Sequence, residues 1–237
     1  MAFHHSPQIV TRGLLLALDV VNTKSYSSGN TWHDLSGNNY DFDRTGHMPL
    51  TAVADGIKYF NFTETPDTYL TESTLSNYNF GSTISVDIWV KNTGGDYRSV
   101  IGNGYSTGRG FDMRFSRSDY YGGADNGTRL SLGLTTTGLV NGGVGVYADL
   151  DNWGNYVGTY DGTTTIIYKN GVFWDSNTTI SGNLQQTVQD VYIGRLADGT
   201  TGEDLVNPLS IVKVHNVVLT PAEILQNYNA LKGRFGK

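Results

Sequence analysis

The sequence contains no cysteine, so no disulfide staples the fold and no thiol can serve as a nucleophile; a packed core has to hold the chain together. Glutamate is nearly missing: Glu64, Glu72, Glu203 and Glu223 are the only four in 237 residues. Charged residues amount to 16% and the net charge is −6. Lysine and arginine form no grouping that could track a phosphate backbone, which argues against nucleic acid as a partner. No apolar run comes near the ~20 residues of a membrane span. The opening Met-Ala-Phe-His-His-Ser-Pro lacks the basic stretch and apolar run of a signal peptide. The expectation is a soluble chain made in the cytoplasm, with no signal peptide and no membrane span.

What the chain has instead is 38% hydrophobic residues, 30 glycines and 15 tyrosines. That composition suits short strands joined by tight polar turns, and at this length a single β-sandwich domain. The apolar run from Gly13 to Val20 is too short for a helix and reads as a buried strand. Residues 22–39 are rich in Ser, Asn and Gly, and Trp32 is expected to plug this loop. Strand composition returns at Lys58 to Phe62 and at Thr83 to Val90, where Ile84, Val86, Ile88 and Val90 alternate with Ser85, Asp87 and Trp89. From Asn92 to Gly145 short apolar runs (99–101, 111–115, 130–134) give way repeatedly to glycine-rich turns, the rhythm of antiparallel strands. Trp89 and Trp153 fall within strand patterns and are expected in the core.

Asp161-Gly162 and Asn170-Gly171 each sit between β-rich runs and tolerate the positive φ of a type I′ turn, so Trp153 to Trp174 reads as a three-stranded meander. Thr164, Ile166 and Tyr168 fall on one face there, Thr165, Ile167 and Lys169 on the other. Val191 to Gly194 and Leu209 to Val217 supply the last strands. A helix opens at Thr220-Pro221-Ala222-Glu223, a capping box with proline at the first helical position, and should end near Gly233. Ile224, Leu225, Tyr228 and Leu231 share a face, expected to lie against an end or edge of the sandwich. No repeat, low-complexity tract or composition break appears. The chain therefore divides into an N-terminal extension, 1–12, and one domain, 13–237.

Several segments carry a resemblance. Residues 153–162, Trp-Gly-Asn-Tyr-Val-Gly-Thr-Tyr-Asp-Gly, followed by Ile167-Tyr168-Lys169-Asn170-Gly171-Val172, resemble the central hairpins of the concanavalin A-like, laminin-G-like jelly-roll superfamily. Tyr192-Ile193-Gly194-Arg195, then 211–217, then Leu219-Thr220-Pro221-Ala222-Glu223-Ile224 and Asn227-Tyr228, are similar to that superfamily's final strand and helix. The front, Gly13 to Asp19 with Lys24-Ser25-Tyr26 and residues 31–38, is similar to a subgroup found in tailed-phage virion proteins. The segment His215-Asn216-Val217-Val218 departs from the usual aromatic-Asn-Arg wording before the helix. The resemblance implies an all-β fold, a two-sheet antiparallel jelly-roll sandwich with one short C-terminal helix, whose contacts are made by rim loops or the concave sheet.

Glucanases of this fold need closely paired carboxylates. The four glutamates form no alternating acidic triplet, Glu223 is absorbed by the helix cap, and Asp149 and Asp151 alternate but precede a turn. There is no Gly-x-Ser-x-Gly, and His33, His47 and His215 have no triad spacing. No histidine pair stands at zinc-ligand spacing apart from His4 and His5 on the terminus. Glycine clusters such as 102–104 are followed by neither Lys-Ser/Thr nor a helix, so they read as turns. The expectation is a protein with no catalytic residues.

The resemblance also implies a structural calcium ion on loop oxygens. Asp34, Asn38, Asp41 and Asp43 form one candidate set and Asp198, Glu203 and Asp204 another, with solvated turn acids as the alternative for both. Sugar recognition would need aromatic platforms beside polar groups. Tyr97, Tyr105, Tyr120 and Tyr121 in polar loops, with Asn103 and Arg109 nearby, are the candidates, and ordinary protein contact is the alternative. The front segment implies a non-enzymatic virion accessory protein of a tailed phage, a capsid decoration or a surface or fibre-type module. It would be made in host cytoplasm and carried in the virion, with other virion structural proteins and cell-surface polysaccharide as partners. A free lectin-like carbohydrate-binding domain is the alternative, and a glycoside hydrolase a more distant one; a monomer and an oligomer built through a sheet edge are both open.

Overall fold

Strands form where apolar and polar residues alternate, because successive side chains point to opposite faces and only one face has to meet the core. The computed structural model of the chain describes residues 8–237 except 45–46, 48, 64–67, 76–77, 96, 105–109, 118–127, 138–140, 187–188 and 198–203. Its elements begin with β1 (Leu14–Asp19), β2 (Thr31–Trp32), β3 (Phe42–Arg44), β4 (Leu50–Ala54), β5 (Ile57–Asn61) and β6 (Leu70–Glu72). There follow β7 (Ile84–Lys91), β8 (Arg98–Gly102), β9 (Phe111–Arg117), β10 (Thr128–Thr135) and β11 (Asn141–Tyr147). The remainder are β12 (Trp153–Tyr160), β13 (Thr165–Lys169), β14 (Val172–Asn177), β15 (Val191–Ile193), β16 (Leu209–His215) and the helix α1 (Pro221–Leu231).

These strands make two antiparallel eight-stranded sheets. Sheet A runs β14-β13-β12-β7-β16-β5-β4, with β1 also paired to β16, and sheet B runs β11-β10-β9-β8-β15-β6-β3-β2. The fold is therefore the all-β sandwich with one short C-terminal helix expected from the sequence. Between the sheets lies one continuous apolar cluster: Leu16, Leu18, Phe60, Val86, Ile88 and Val212 from sheet A meet Ile101, Phe111, Met113, Phe115, Leu130, Leu132 and Ile193 from sheet B. At about 25 cal/mol per Å² of apolar surface removed from water, this layer is the main stabilising term in a chain without disulfides.

Trp32 does not plug a loop. It lies in β2, is wholly buried, and meets Phe60 edge-on at 4.9 Å, so the indole belongs to the core between the sheets. Trp89 and Trp153 are buried, but in a second cluster on the outer face of sheet A with Ile211, Leu231 and Phe235. Helix α1 lies over that face rather than at an end or edge, because Trp89, Val157, Tyr168 and Ile211 leave an apolar surface there to cover. Its capping box forms as expected, Thr220 and Glu223 each taking up the other's backbone N–H. Its buried face is Ile224, Asn227 and Leu231, while Leu225 is 44% exposed. The helix does not stop at Gly233; a 3-10 turn, Lys232–Phe235, carries Phe235 onto Trp89, ring on ring at 4.0 Å, and Gly236 then ends it at φ +68°.

The two turn dipeptides behave differently. Asn170 (φ +53°) and Gly171 (φ +80°) make the tight hairpin between β13 and β14. In the β12–β13 connection only Gly162 has positive φ. There the Asp161 carboxylate accepts from Thr163 N at 2.9 Å and Thr164 N at 2.8 Å, a side-chain-closed turn. Residues 8–12 are fastened to α1: Val10 N donates to Asn227 Oδ1 at 2.7 Å and Arg12 pairs with Glu223 at 2.7 Å.

Candidate functional site

Sheet A's outer face is covered by helix and strap, and the outer face of sheet B is built quite differently. On β9, Phe111, Met113 and Phe115 go to the core, which sends Asp112, Arg114 and Ser116 outward. On β10 the leucines 130, 132 and 134 go inward and Arg129, Ser131 and Gly133 outward. On β11 Val144 and Val146 go inward, leaving Gly143, Gly145 and Tyr147 outside. A register shift between Ser99 and Ile101 lets both Val100 and Ile101 enter the core, so Ser99 and Gly102 both face outward.

Register then aligns these outward residues into rows, because directly opposed antiparallel residues share a face. One row crosses the whole sheet, one residue per strand: Thr31, Asp43, Thr71, Tyr192, Gly102, Asp112, Gly133 and Gly143. Beside it runs Ser99, Arg114, Ser131 and Gly145, and beside that Ser116, Arg129 and Tyr147. Ser99, Asp112, Arg114, Ser116 and Ser131 are each at most 1% exposed. A buried layer of hydroxyls, carboxylate and guanidinium is costly unless every group is hydrogen-bonded, so it marks a place where something other than core stability is selected.

The polar groups are tightly interlocked. Ser99 Oγ donates to Asp112 Oδ1 at 2.6 Å, the other Asp112 oxygen lies 3.6 Å from Arg114 Nη1, and the Ser116 and Ser131 hydroxyls share a 2.6 Å hydrogen bond. Three tyrosines lie against arginines: Tyr97 is 5.7 Å from Arg114, Tyr147 is 4.5 Å from Arg129, and Tyr69 is 4.8 Å from Arg195. Half-buried Tyr192 stands in the long row with its ring 6.1 Å from Tyr69. Burial raises its phenol pKa, as do Asp190 and Tyr69, while Arg195 opposes the shift. The glycines keep the floor low: a Cβ on Gly143 would lie 2.3 Å from Leu132 O, and one on Gly102 2.5 Å from Phe111 O. Tyr97 holds φ at +60°, a strained backbone for an aromatic residue, and such strain gathers at ligand clamps.

Of the residues nominated for sugar contact, Tyr97 sits on this face over Arg114. Asn103 is 4% exposed and accepts from Phe111 N at 3.0 Å, fixing the start of β9 rather than facing outward. Tyr105, Arg109, Tyr120 and Tyr121 lie outside the described residues. The sequence reading missed Tyr192, Asp112, Arg114 and the glycines. The signal available was the strict alternation of Phe111 to Ser116 and of Gly143 to Tyr147, whose polar half has no place in a core.

The first calcium set is consumed by hydrogen bonds. Asp34 Oδ1 accepts from Ala17 N and Ser36 N, both at 2.9 Å, and Oδ2 from Ser36 Oγ at 2.6 Å. Asp41 accepts from Asp34 N at 2.8 Å and faces His33 Nδ1 at 2.8 Å, Asn38 donates to Leu15 O at 3.0 Å, and Asp43 takes Thr31 Oγ1 at 2.6 Å. Calcium needs six to eight converging oxygens, and among the described residues no three His, Cys, Asp or Glu side chains gather to hold a metal. This set does not fit the ion. Of the second, Asp204 is buried 3.7 Å from Arg195 Nε, and Asp198 and Glu203 lie outside the described residues.

Residues 63–225 match a laminin-G-type family described as the concanavalin A-like lectin/glucanases superfamily. The chain belongs to this superfamily. Among curated proteins no sequence matches. Solved structures of similar fold include the binding domain of Paraclostridial Mosquitocidal Protein 1, at 13% identity and TM-score 0.68 over 92% of this chain and 52% of that one. The binding domain of Botulinum Neurotoxin DC in complex with SialylT matches at 13% identity and TM-score 0.63, over 93% of this chain and 52% of that one. Domain 4 of AbnA, a GH43 extracellular arabinanase from Geobacillus stearothermophilus, in complex with arabinotriose, matches at 13% and 0.62, over 91% of this chain and 98% of that one. The chain thus spans about half the length of the toxin binding domains it matches. At these identities the likeness is one of fold, and it agrees with the two-sheet lectin/glucanase architecture.

Proposed function

We propose that this chain is a non-catalytic carbohydrate-binding module whose ligand lies on the outer face of sheet B. The observation that carries the reading is the polar and glycine row that crosses all eight strands. Its accessible part, Thr31, Asp43, Thr71 and Tyr192 on β2, β3, β6 and β15, runs roughly 15 Å at about 4.8 Å per strand, the scale of a short oligosaccharide. Tyr192 offers a ring face and Thr31, Asp43 and Thr71 offer polar groups, while buried Asp112 and the serines form the floor that holds the adjoining strands. On β8 to β11 the outward residues include one carboxylate, Asp112, held by Ser99 and Arg114, whereas glycoside hydrolysis calls for two facing carboxyls. The arabinotriose-bound and SialylT-bound relatives of the same fold support the reading.

The setting we infer, an accessory protein on a tailed-phage particle, is supported by the front segment, residues 13–38, and its resemblance to virion proteins. A glycan array followed by calorimetry with wild type, Tyr192→Ala and Asp43→Asn tests the binding. Saccharide binding that weakens at least about tenfold in either variant, with far-UV circular dichroism unchanged, is expected. A blank array, or binding untouched by both folded variants, overturns it. Mass spectrometry of purified particles tests the setting: the chain found there supports it and its absence overturns it.

A further inference from the structure

We propose that the saccharide on sheet B is anionic, with its carboxylate or sulfate groups read by arginine; this rests on the carbohydrate reading above. The cations of the two sheets are sorted by type. Every arginine within a described strand, Arg44, Arg98, Arg114, Arg117 and Arg129, belongs to sheet B, and every strand lysine, Lys58, Lys91, Lys169 and Lys213, belongs to sheet A. Arg195 follows β15, also in sheet B. Solvation or general surface charge would not separate the two residue types, since either cation serves that purpose. Their chemistry differs in one respect: guanidinium is a planar fork of five N–H donors that matches two-oxygen anions and stacks on aromatic rings, whereas ammonium is a point charge.

Arginine–ring contacts are present here. Arg114, Arg129 and Arg195 each lie against a tyrosine at 5.7, 4.5 and 4.8 Å. Arg129 Nη2 also donates to the Tyr147 hydroxyl at 3.0 Å. Contact with a ring restrains a guanidinium before ligand arrives, which lowers the ordering cost of reading an oxyanion. By register Arg114 and Arg129 face outward, as do Asp43 and Asp112, whereas Arg44 lies opposite Leu70 and Arg98 opposite Phe115, on the core side of their strands.

The experiment is calorimetry on the intact chain with four probes of matched length: oligogalacturonate, its methyl ester, a sulfated galactan oligosaccharide and oligothymidylate. Arg129→Lys and Arg195→Lys are used because both side chains are only partly buried and lysine keeps the charge. Expected is binding of the uronate or the sulfated probe about tenfold or more tighter than the ester. Both variants should weaken the anionic probe several-fold more than the ester; which anion binds tells carboxylate from sulfate. Equal affinity for acid and ester, or lysine variants that bind as wild type, overturns the inference while leaving the carbohydrate reading in place. Oligothymidylate binding as tightly as the best saccharide overturns it in favour of charge alone. Failure of every saccharide here and on the array removes the carbohydrate reading itself.

Discussion

Lys213 donates to Asp87 at 2.6 Å across the β7–β16 pair, with the two side chains 4% and 0% exposed. Asn155 Nδ2 and Asn227 Nδ2 complete the shell of Asp87 at 2.7 and 3.2 Å, and Asn227 Oδ1 in turn holds Val10 N. One carboxylate thus ties two central strands, the helix and the N-terminal strap. Removing one member leaves an unpaired buried charge, so Asp87→Ala should cost about 3–5 kcal/mol in urea unfolding. The double variant Asp87→Leu with Lys213→Met should recover most of that; a double variant as unstable as the single would show that the shell, not the charge, is what matters.

Glycines in the long row should not tolerate a methyl group. Gly143→Ala puts a carbon 2.3 Å from Leu132 O and 3.1 Å from Gly133 Cα, all backbone, and is expected to lose about 1–3 kcal/mol. Gly233, with nothing within 4 Å of its added Cβ and no positive φ, is the control. Gly233→Ala should be neutral or gain a few tenths of a kcal/mol. Calorimetric melting of both variants checks the contrast.

Acid should loosen the strap in two stages. His215 is wholly buried with Nδ1 on Arg12 O at 2.9 Å. Burial lowers its pKa, the Arg12 carbonyl and Asp87 opposing. The unfolded chain therefore takes up this proton first, and stability falls as pH drops below about 6.5. Glu223 is held down to about 2, chiefly by Arg12, against its own desolvation and with help from Thr220. Its contribution is complete above the ordinary glutamate value of about 4.5 and is lost as pH falls from there towards about 2. Melting temperatures from pH 8 to 2 should show both declines, with Glu223→Gln abolishing the lower one and His215→Gln the upper.

Tyr97 should trade stability against binding. At φ +60° it occupies a conformation that glycine adopts freely, so Tyr97→Gly is expected to melt at or above the wild-type temperature while binding saccharide more weakly. A variant that melts well below wild type would show that the ring over Arg114 serves the fold instead.

Most strands were legible because their signals are local. The alternation of Ile84 to Val90, the Asn170-Gly171 turn and the Thr220–Glu223 box each lie within a few residues, and each formed as read. Trp32 and Leu225 were misplaced because their partners, Phe60 on a distant strand and solvent on the far side of the helix, cannot be seen from neighbours in sequence. The site was hidden for the same reason: Thr31, Asp112, Gly143 and Tyr192 meet only through the register of eight strands. The loop tyrosines stand out by composition, whereas the outward half of β9 reads in sequence as ordinary strand polarity and differs only in being buried.

The strap at Val10 and the ring of Phe235 both rest on the back of sheet A, with the greasy layer between them and the arginine-bearing side. A sensor surface, bead or larger assembly coupled through Lys237 would consequently hold this chain by its rear and leave the front free to sweep for polymer. Orientation comes built in, with no hinge required to expose it.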